Sequence, residues 1–273
     1  MFGAKGTAFA VTALIVASAL ASTPAAAAAT PAWMVESNEQ AKALLEENAK
    51  YNPESASAVG VDGHDEEVFD SKPHTVERQK ADLDVVVSGY EHALPTATDP
   101  RVKQDIEILL KTSRDQRITL ELNDRLMLPY FDLPQALFNG FHAILDPRVP
   151  KSRQAAALIR LKRYVGAERG YEPIAKLVRA RVDERLGDKS LTGPWTVEVE
   201  QHLKNQDEYL KGIQELFQKA GIKGYQKDLK TLSAQLADYA KWVRATVVPR
   251  ARSTNRLPQI GRASCRERVS VKV

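Results

Sequence analysis

Apolar residues recur three and four positions apart along most of this 273-residue chain, and no stretch alternates apolar with polar residues for long. The first spacing gathers side chains on one face of a helix, the second on one face of a strand, so the chain is expected to fold as helices. Ser37 with Gln40 forms a capping box that predicts a helix carrying Ala41, Leu44, Leu45 and Ala49, closed by Pro53. Residues 51–70, rich in turn formers and acids, read as a loop. A second helix is predicted over 76–93, with Leu83, Val86, Val87 and Tyr90 buried. Asp99-Pro100 opens a third, because Asp caps and Pro at the first helical position loses no needed N–H; it should carry Ile106, Leu109, Leu110, Ile118 and Leu122 to about Asn123.

Pro129 forces a break, and Asp132 starts a shorter helix through Ala136, Leu137, Phe138, Phe141 and Ile144. Residues 151–164 are expected to be helical with Ala155, Leu158, Ile159, Leu161 and Tyr164 inward, and 172–186 likewise, with Gly187 as C-terminal cap. Thr192 and Pro194 begin a long helix to Ala220 with Leu203, Leu210, Ile213, Leu216 and Phe217 inward. The last helix should run from Gln226 to Val247, with Leu229, Leu232, Leu236, Tyr239 and Val243 at 3-4-3-4 spacing, until Pro249. Eight helices on short links predict an all-α, multi-helix array without internal repeat.

The start of the chain has a different logic. Lys5, an uncharged apolar run over 7–21, Pro24 and the small residues Ala25, Ala27 and Ala29 follow the layout of a cleaved signal peptide over residues 1–29. A membrane-spanning helix needs roughly 20 apolar residues, and this run is shorter, so no stable membrane insertion is expected after cleavage. The product is expected to be periplasmic or secreted.

The formal net charge is +4, but Lys5 leaves with the signal and residues 260–273 carry a surplus of three positive charges, so the body over 30–259 is neutral. Nothing in that balance argues for nucleic acid or an anionic membrane as partner. Cys265 is the sole cysteine and also lies in the tail, so the body has neither disulfide nor thiol nucleophile. Residues 260–269 read IGRASCRERV, which results from translating ATC GGA AGA GCG TCG TGT AGG GAA AGA GTG, a string similar to a widely used short-read sequencing adapter. Residues 260–273 are therefore expected to be an artefact and are set apart from the fold.

Chemistry-bearing patterns are sparse. The histidines His64, His74, His92, His142 and His202 show no H-E-x-x-H spacing, which would set two imidazoles on one helix face. His64, Asp65, Glu66, Glu67 and Asp70 can ligate a hard cation, but a solvated acidic loop accounts for them more simply. His142 is expected to be half-buried by packing, His92 to meet the last carbonyls of its helix, and His202 to sit on the surface. No phosphate loop and no G-x-S-x-G elbow appear, and Ser113, Ser152 and Ser233 lack an activating neighbour. Glu198 and Glu200 differ by two positions and point to different sides. Trp195 and Trp242 read as packing residues. Arg250, Arg252 and Arg256 are the best binding candidates, able to hold a carboxylate at a site entrance, against a plainer reading as an exposed linker. No catalytic, cofactor-binding or metal-ligating residue is assigned.

The stretch FDLPQALFNGFHAILDPRVPKSRQAAALIRLKRYVG within residues 130–166, with YNPESASAVG at 51–60 and VVPRARSTNRLP at 247–258, resembles the bacterial family called domain of unknown function 885. The resemblance covers roughly residues 38–258 and rests on scattered pattern. That family looks like zinc metallopeptidases of the gluzincin kind, whose long helices line a channel and whose members commonly carry export signals. Its H-E-x-x-H motif and downstream glutamate lie beyond the segment matched here by Arg256, Leu257 and Pro258, so they transfer to no position in this chain. The resemblance implies an N-terminal helical part of a larger domain, inactive alone, with zinc and a peptide substrate belonging to the full-length parent and a missing C-terminal half as its partner. It also implies an apolar face awaiting that half, for which Leu229, Leu232, Leu236 and Val243 are one candidate. The rival reading is a non-catalytic helical periplasmic binding or scaffold module. For either, N-terminal sequencing of exported product is expected to begin near Thr30; a product still containing residues 2–21 contradicts the signal-peptide assignment.

Overall fold

The computed structural model describes residues 30–58 and 61–256. The signal-like segment 1–29, Leu257, Pro258 and the tail 260–273 lie outside them. The chain divides into a unit ending at Pro31 and a unit from Ala32 onward, and the second is the subject below. Among the described residues it is all-α, without strands and with only two isolated bridges. No helix there is long and apolar enough to cross a membrane.

The helices are α1 (Ala32–Tyr51), α2 (Pro53–Ala58), α3 (Thr75–Ala93), α4 (Pro100–Leu126), α5 (Leu133–Ile144), α6 (Lys151–Gln154), α7 (Ala156–Tyr164), α8 (Ile174–Asp183), α9 (Thr196–Ala220) and α10 (Gln226–Trp242), followed by a π turn (Val243–Val247) and a 3-10 turn (Val248–Arg250). They build two apolar cores. The smaller joins α1, α3 and α4 through Leu44, Leu83, Tyr90, Val102, Ile106 and Leu110. The larger gathers α5 and α7 to α10 around Phe141, Tyr164, Phe217, Leu232 and Val243. Each fully buried side chain of this size contributes about 1.5–3 kcal/mol.

Local chemistry explains most boundaries. The Asp99 side chain accepts from the Arg101 N–H and Asp132 from the Gln135 N–H, as N-caps should. Gly221 adopts the left-handed conformation that closes α9. Other boundaries depart from expectation. α1 starts five residues before Ser37, which is buried in the helix with its hydroxyl unpartnered, so no capping box forms. Trp33 anchors the added turn, with the Arg101 guanidinium 4.5 Å from its ring centre. Pro53 opens α2 as well as ending α1, so residues 51–70 are not loop throughout. Residues 151–164 break at Ala155, which is exposed, and the inward face of α7 is Ala157, Arg160, Leu161 and Tyr164. α8 ends at Asp183 with Glu184 as cap, so Gly187 does not close it. The last helix becomes a π turn, where the Val248 N–H reaches back to Val243 O, just ahead of Pro249.

Leu229, Leu232, Leu236 and Val243 are not an open face: they are 9%, 0%, 0% and 0% exposed, inside the larger core. The large apolar side chains that do face out include Val85 and Ile108 on α3 and α4 and Val197 on α9, and Ile118 joins them instead of packing inward.

Arg160 carries the strongest polar constraint. It is fully buried on the apolar face of α7, and it donates to Gly140 O, Glu67 O and His64 O, each at 3.0 Å. Arg160→Met leaves three carbonyls without their donor, at about 1–3 kcal/mol for each that stays buried and unsatisfied, so stability should fall by several kcal/mol. Chemical denaturation checks this; a loss within about 0.5 kcal/mol, typical of surface changes, contradicts it.

Candidate functional site

Between the two cores lies a cavity of about 530 Å³. α3 and α4 give it Val76, Leu120, Asn123 and Asp124; the α4–α5 link gives Tyr130, Phe131 and Asp132; α8 gives Arg181, α9 gives Glu198 and His202, and the C-terminal segment gives Arg252. Its wall is laid down by three extended segments. Leu128 N–H donates to Thr192 O at 2.9 Å and Thr192 N–H to Leu126 O at 2.8 Å. Arg252 N–H donates to Pro194 O at 2.8 Å and Thr196 N–H to Arg252 O at 2.9 Å. Gly193 makes this approach possible, since a Cβ there would stand 1.8 Å from Arg250 O.

Pro129 keeps the residue before it out of the helical region and Asp132 is extended as the cap of α5, and the link between them sets Tyr130 and Asp132 beside His202 of α9. The Tyr130 ring stacks on His202 at 5.9 Å, and its hydroxyl lies 3.2 Å from His202 Nδ1. His202 Nε2 stands 3.9 Å from Asp132 Oδ2 and 4.0 Å from Glu198 Oε1, both beyond hydrogen-bond length. Asp132 is 8% exposed; Oδ1 caps α5, while Oδ2 accepts no hydrogen bond. Burial pushes its carboxyl above the usual range, against the Gln135 N–H and His202, which pull it down. Burial, with the Asp132 and Glu198 charges, holds the Tyr130 phenol far above its ordinary value. Tyr130 thus stays a proton donor, and Asp132 is an acceptor awaiting one.

The sequence-derived candidates fare unevenly. His202 is not a surface residue but a wall of this cavity, with its side chain 20% exposed. His142 is exposed instead of half-buried, its ring 5.8 Å from Phe138. His92 does meet a carbonyl, Nδ1 lying 2.7 Å from Ser88 O. The acidic stretch is not a solvated loop: Asp65 pairs with Arg153 at 2.7 Å, Glu66 with Arg163 at 3.1 Å, His64 with Glu67 at 2.8 Å, and Asp70 with Arg78. Arg250 spends its guanidinium on Leu186 O, at 2.7 Å, and Asp188 O, at 3.0 Å. Arg252 donates to Gly193 O at 2.7 Å, its buried Nε left unpartnered, and Arg256 is exposed. Ser113 donates to Leu109 O, and Ser152 and Ser233 are exposed. Trp242 packs on Tyr239 and under Arg179. Tyr130 and Arg181 were not singled out from sequence, and Asp132 only as a helix start.

Among the described residues no three of His, Cys, Asp and Glu converge as a metal site. The cavity brings together acceptors at Asp132 and Glu198, cations at Arg181 and Arg252, and the stacked Tyr130–His202 pair. No family model, no curated protein and no solved structure matches the chain.

Because the folded pKa of Asp132 is raised, the folded state binds its proton more tightly than the unfolded state. Asp132 therefore withdraws stability as pH rises through the unfolded value near 3.8 to the raised folded value, and the loss is complete above it. Asp132→Asn keeps the capping oxygen and removes the buried charge. It should melt higher at pH 7, by about 1 kcal/mol, with the gap closing below pH 4. Melting curves across pH check this; a variant less stable at pH 7 contradicts it.

Proposed function

We propose that this chain supplies a peptide-binding wall of an exported, zinc-dependent peptidase whose catalytic half follows it. The observation that carries the reading is the cavity between the two helical cores, where Asp132 Oδ2 is buried without a hydrogen-bond partner beside Tyr130, His202 and Arg181. Folding leaves this acceptor unsatisfied, and a ligand N–H would satisfy it. The resemblance of residues 130–166 and the flanking segments to the domain of unknown function 885 family supports the peptidase part, and the signal-like residues 1–29 support export to the periplasm or medium. On this reading the helices are the N-terminal part of a larger gluzincin-like domain.

Zinc in such an enzyme activates a water and polarises the scissile carbonyl, held by three protein ligands and an open position. The described residues do not fit that requirement; on this reading the metal's ligands would come from the proposed catalytic half. What this chain's residues do is bind and orient: Asp132 and Glu198 accept N–H groups, Arg181 meets a carboxylate, and Tyr130 and Phe131 shield the site from water.

The test reads the gene past Gln259 for H-E-x-x-H, then compares residues 30–259 with the complete product. Bound zinc is measured after dialysis, and cleavage of a peptide library is followed with and without chelator. Zinc and chelator-sensitive cleavage are expected in the complete product alone. Cleavage by the short form overturns the division of labour, and cleavage by neither transfers the cavity to the rival, a non-catalytic binding module.

A further inference from the structure

Arg181 is a half-buried side chain on α8, between Val178 and Val182 on its apolar face. It lines the 530 Å³ cavity and also a second one of about 470 Å³, whose wall includes Tyr51, Glu54, Gln79 and Asn139; Phe131 is common to both. Among the described residues the Arg181 guanidinium has no hydrogen bond and no carboxylate within 4 Å. Four carboxylates act on it from farther away, Asp124, Asp70, Glu184 and Glu77; of these Asp124 pairs with Arg185 at 2.9 Å and Asp70 with Arg78. Three other arginines set into this fold are matched: Arg160 by carbonyls, Arg153 by Asp65 and Arg163 by Glu66 and Glu168. A guanidinium is a planar fork of five donors that never deprotonates usefully, so leaving it unmatched in a cavity is costly unless a ligand completes it.

We propose that Arg181 anchors the terminal carboxylate of a short peptide, with Asp132 Oδ2 accepting an N–H of the same ligand. This deepens the peptide-binding reading above and rests on it. The anchor is a monoanion site. The same cavity presents Asp124, Asp132 and Glu198, whose charges repel a phosphate dianion more strongly than a carboxylate monoanion, and the carboxylate matches the fork in a two-point contact. The occupant is a peptide and not a simple acid, because Asp132 needs a donor and the space is that of a drug-sized ligand. Both groups are preset: Asp132 by its capping bond to Gln135, Arg181 by its place on the rigid α8.

Calorimetric titration of the purified chain with trialanine, trialanine amide, propionate and inorganic phosphate tests this. Trialanine should bind, and amidation of its carboxylate should weaken binding by about tenfold to hundredfold, the worth of a charge-assisted contact. Arg181→Gln should lose a similar factor and Arg181→Lys a smaller one, with propionate and phosphate both weaker than trialanine. The amide comparison uses the unaltered chain, so it decides the matter even where a variant fails to fold. Equal binding of trialanine and its amide, undiminished binding by a folded Arg181→Gln chain, tighter binding of propionate or phosphate, or no binding at all overturns the proposal. The outcomes separate from those above. Carboxylate-dependent binding without zinc or cleavage in the complete product keeps this anchor and removes the peptidase, while cleavage indifferent to the carboxylate does the reverse.

Discussion

The structure depends on a guanidinium that has no contact with solvent. Arg160 sits on the inward face of α7, where periodicity calls for an apolar residue, and its charge must be satisfied from inside. It takes the carbonyl of Gly140 from α5 and the carbonyls of His64 and Glu67 from the segment after α2. Three pieces of chain distant in sequence are thereby held in one register. Gly140 is needed as glycine, since a Cβ there would meet Glu54 Cγ at 2.8 Å and the Tyr164 hydroxyl at 2.9 Å. That closeness lets Glu54 accept from both Tyr164 and the Phe69 N–H. Burial pushes the Glu54 carboxyl up, while Tyr164 and Arg160 draw it back.

This frame reaches the cavity through aromatic contact. Phe69, on the pinned segment, meets Tyr164 at 6.0 Å and the edge of Phe131 at 5.8 Å. Phe131 stands between Tyr130 and Asp132, so fixing its ring fixes the segment that carries both. From the other side, the bridges among 126–128, 192–196 and 252 hold the same wall with backbone hydrogen bonds. Tyr130 and Asp132 therefore sit on a short link clamped at both ends, which is how a loop acquires the precision of a helix.

Helical periodicity made the all-α architecture legible, and capping chemistry placed the starts of α4 and α5 at Asp99 and Asp132. What periodicity could not show was rotation. On α7 the apolar letters Leu158 and Ile159 suggested one inward face, while the true face runs through Ala157, Arg160, Leu161 and Tyr164. A charged residue on an apolar stripe is discounted by pattern, yet Arg160 and Arg181 both occupy stripe positions and matter most. A usable signal was present: each lies three residues after a small or branched apolar residue that packs inward. His202, one position before Leu203, was placed outside for the same reason, because the extended link carrying Tyr130 folds over it and no pattern within α9 reports that. The pairing of the acidic stretch with Arg153 and Arg163 was also invisible, being long-range.

Two residue types are treated in opposite ways within one molecule, and that contrast is the argument for a ligand. Asp65 and Asp70 are paired with arginines, and Arg160 is surrounded by acceptors. In the cavity, among the described residues, Asp132 Oδ2 is buried without a hydrogen-bond partner, and the half-buried Arg181 guanidinium lines the same wall. An unsatisfied buried polar group costs about 1–3 kcal/mol, and a domain's whole stability is only about 5–15 kcal/mol. Asp132 Oδ2 alone is thus a noticeable share of that margin for packing to absorb. On the proposed reading, a peptide brings a carboxylate to Arg181 and an N–H to Asp132 Oδ2, and so matches both with one ligand.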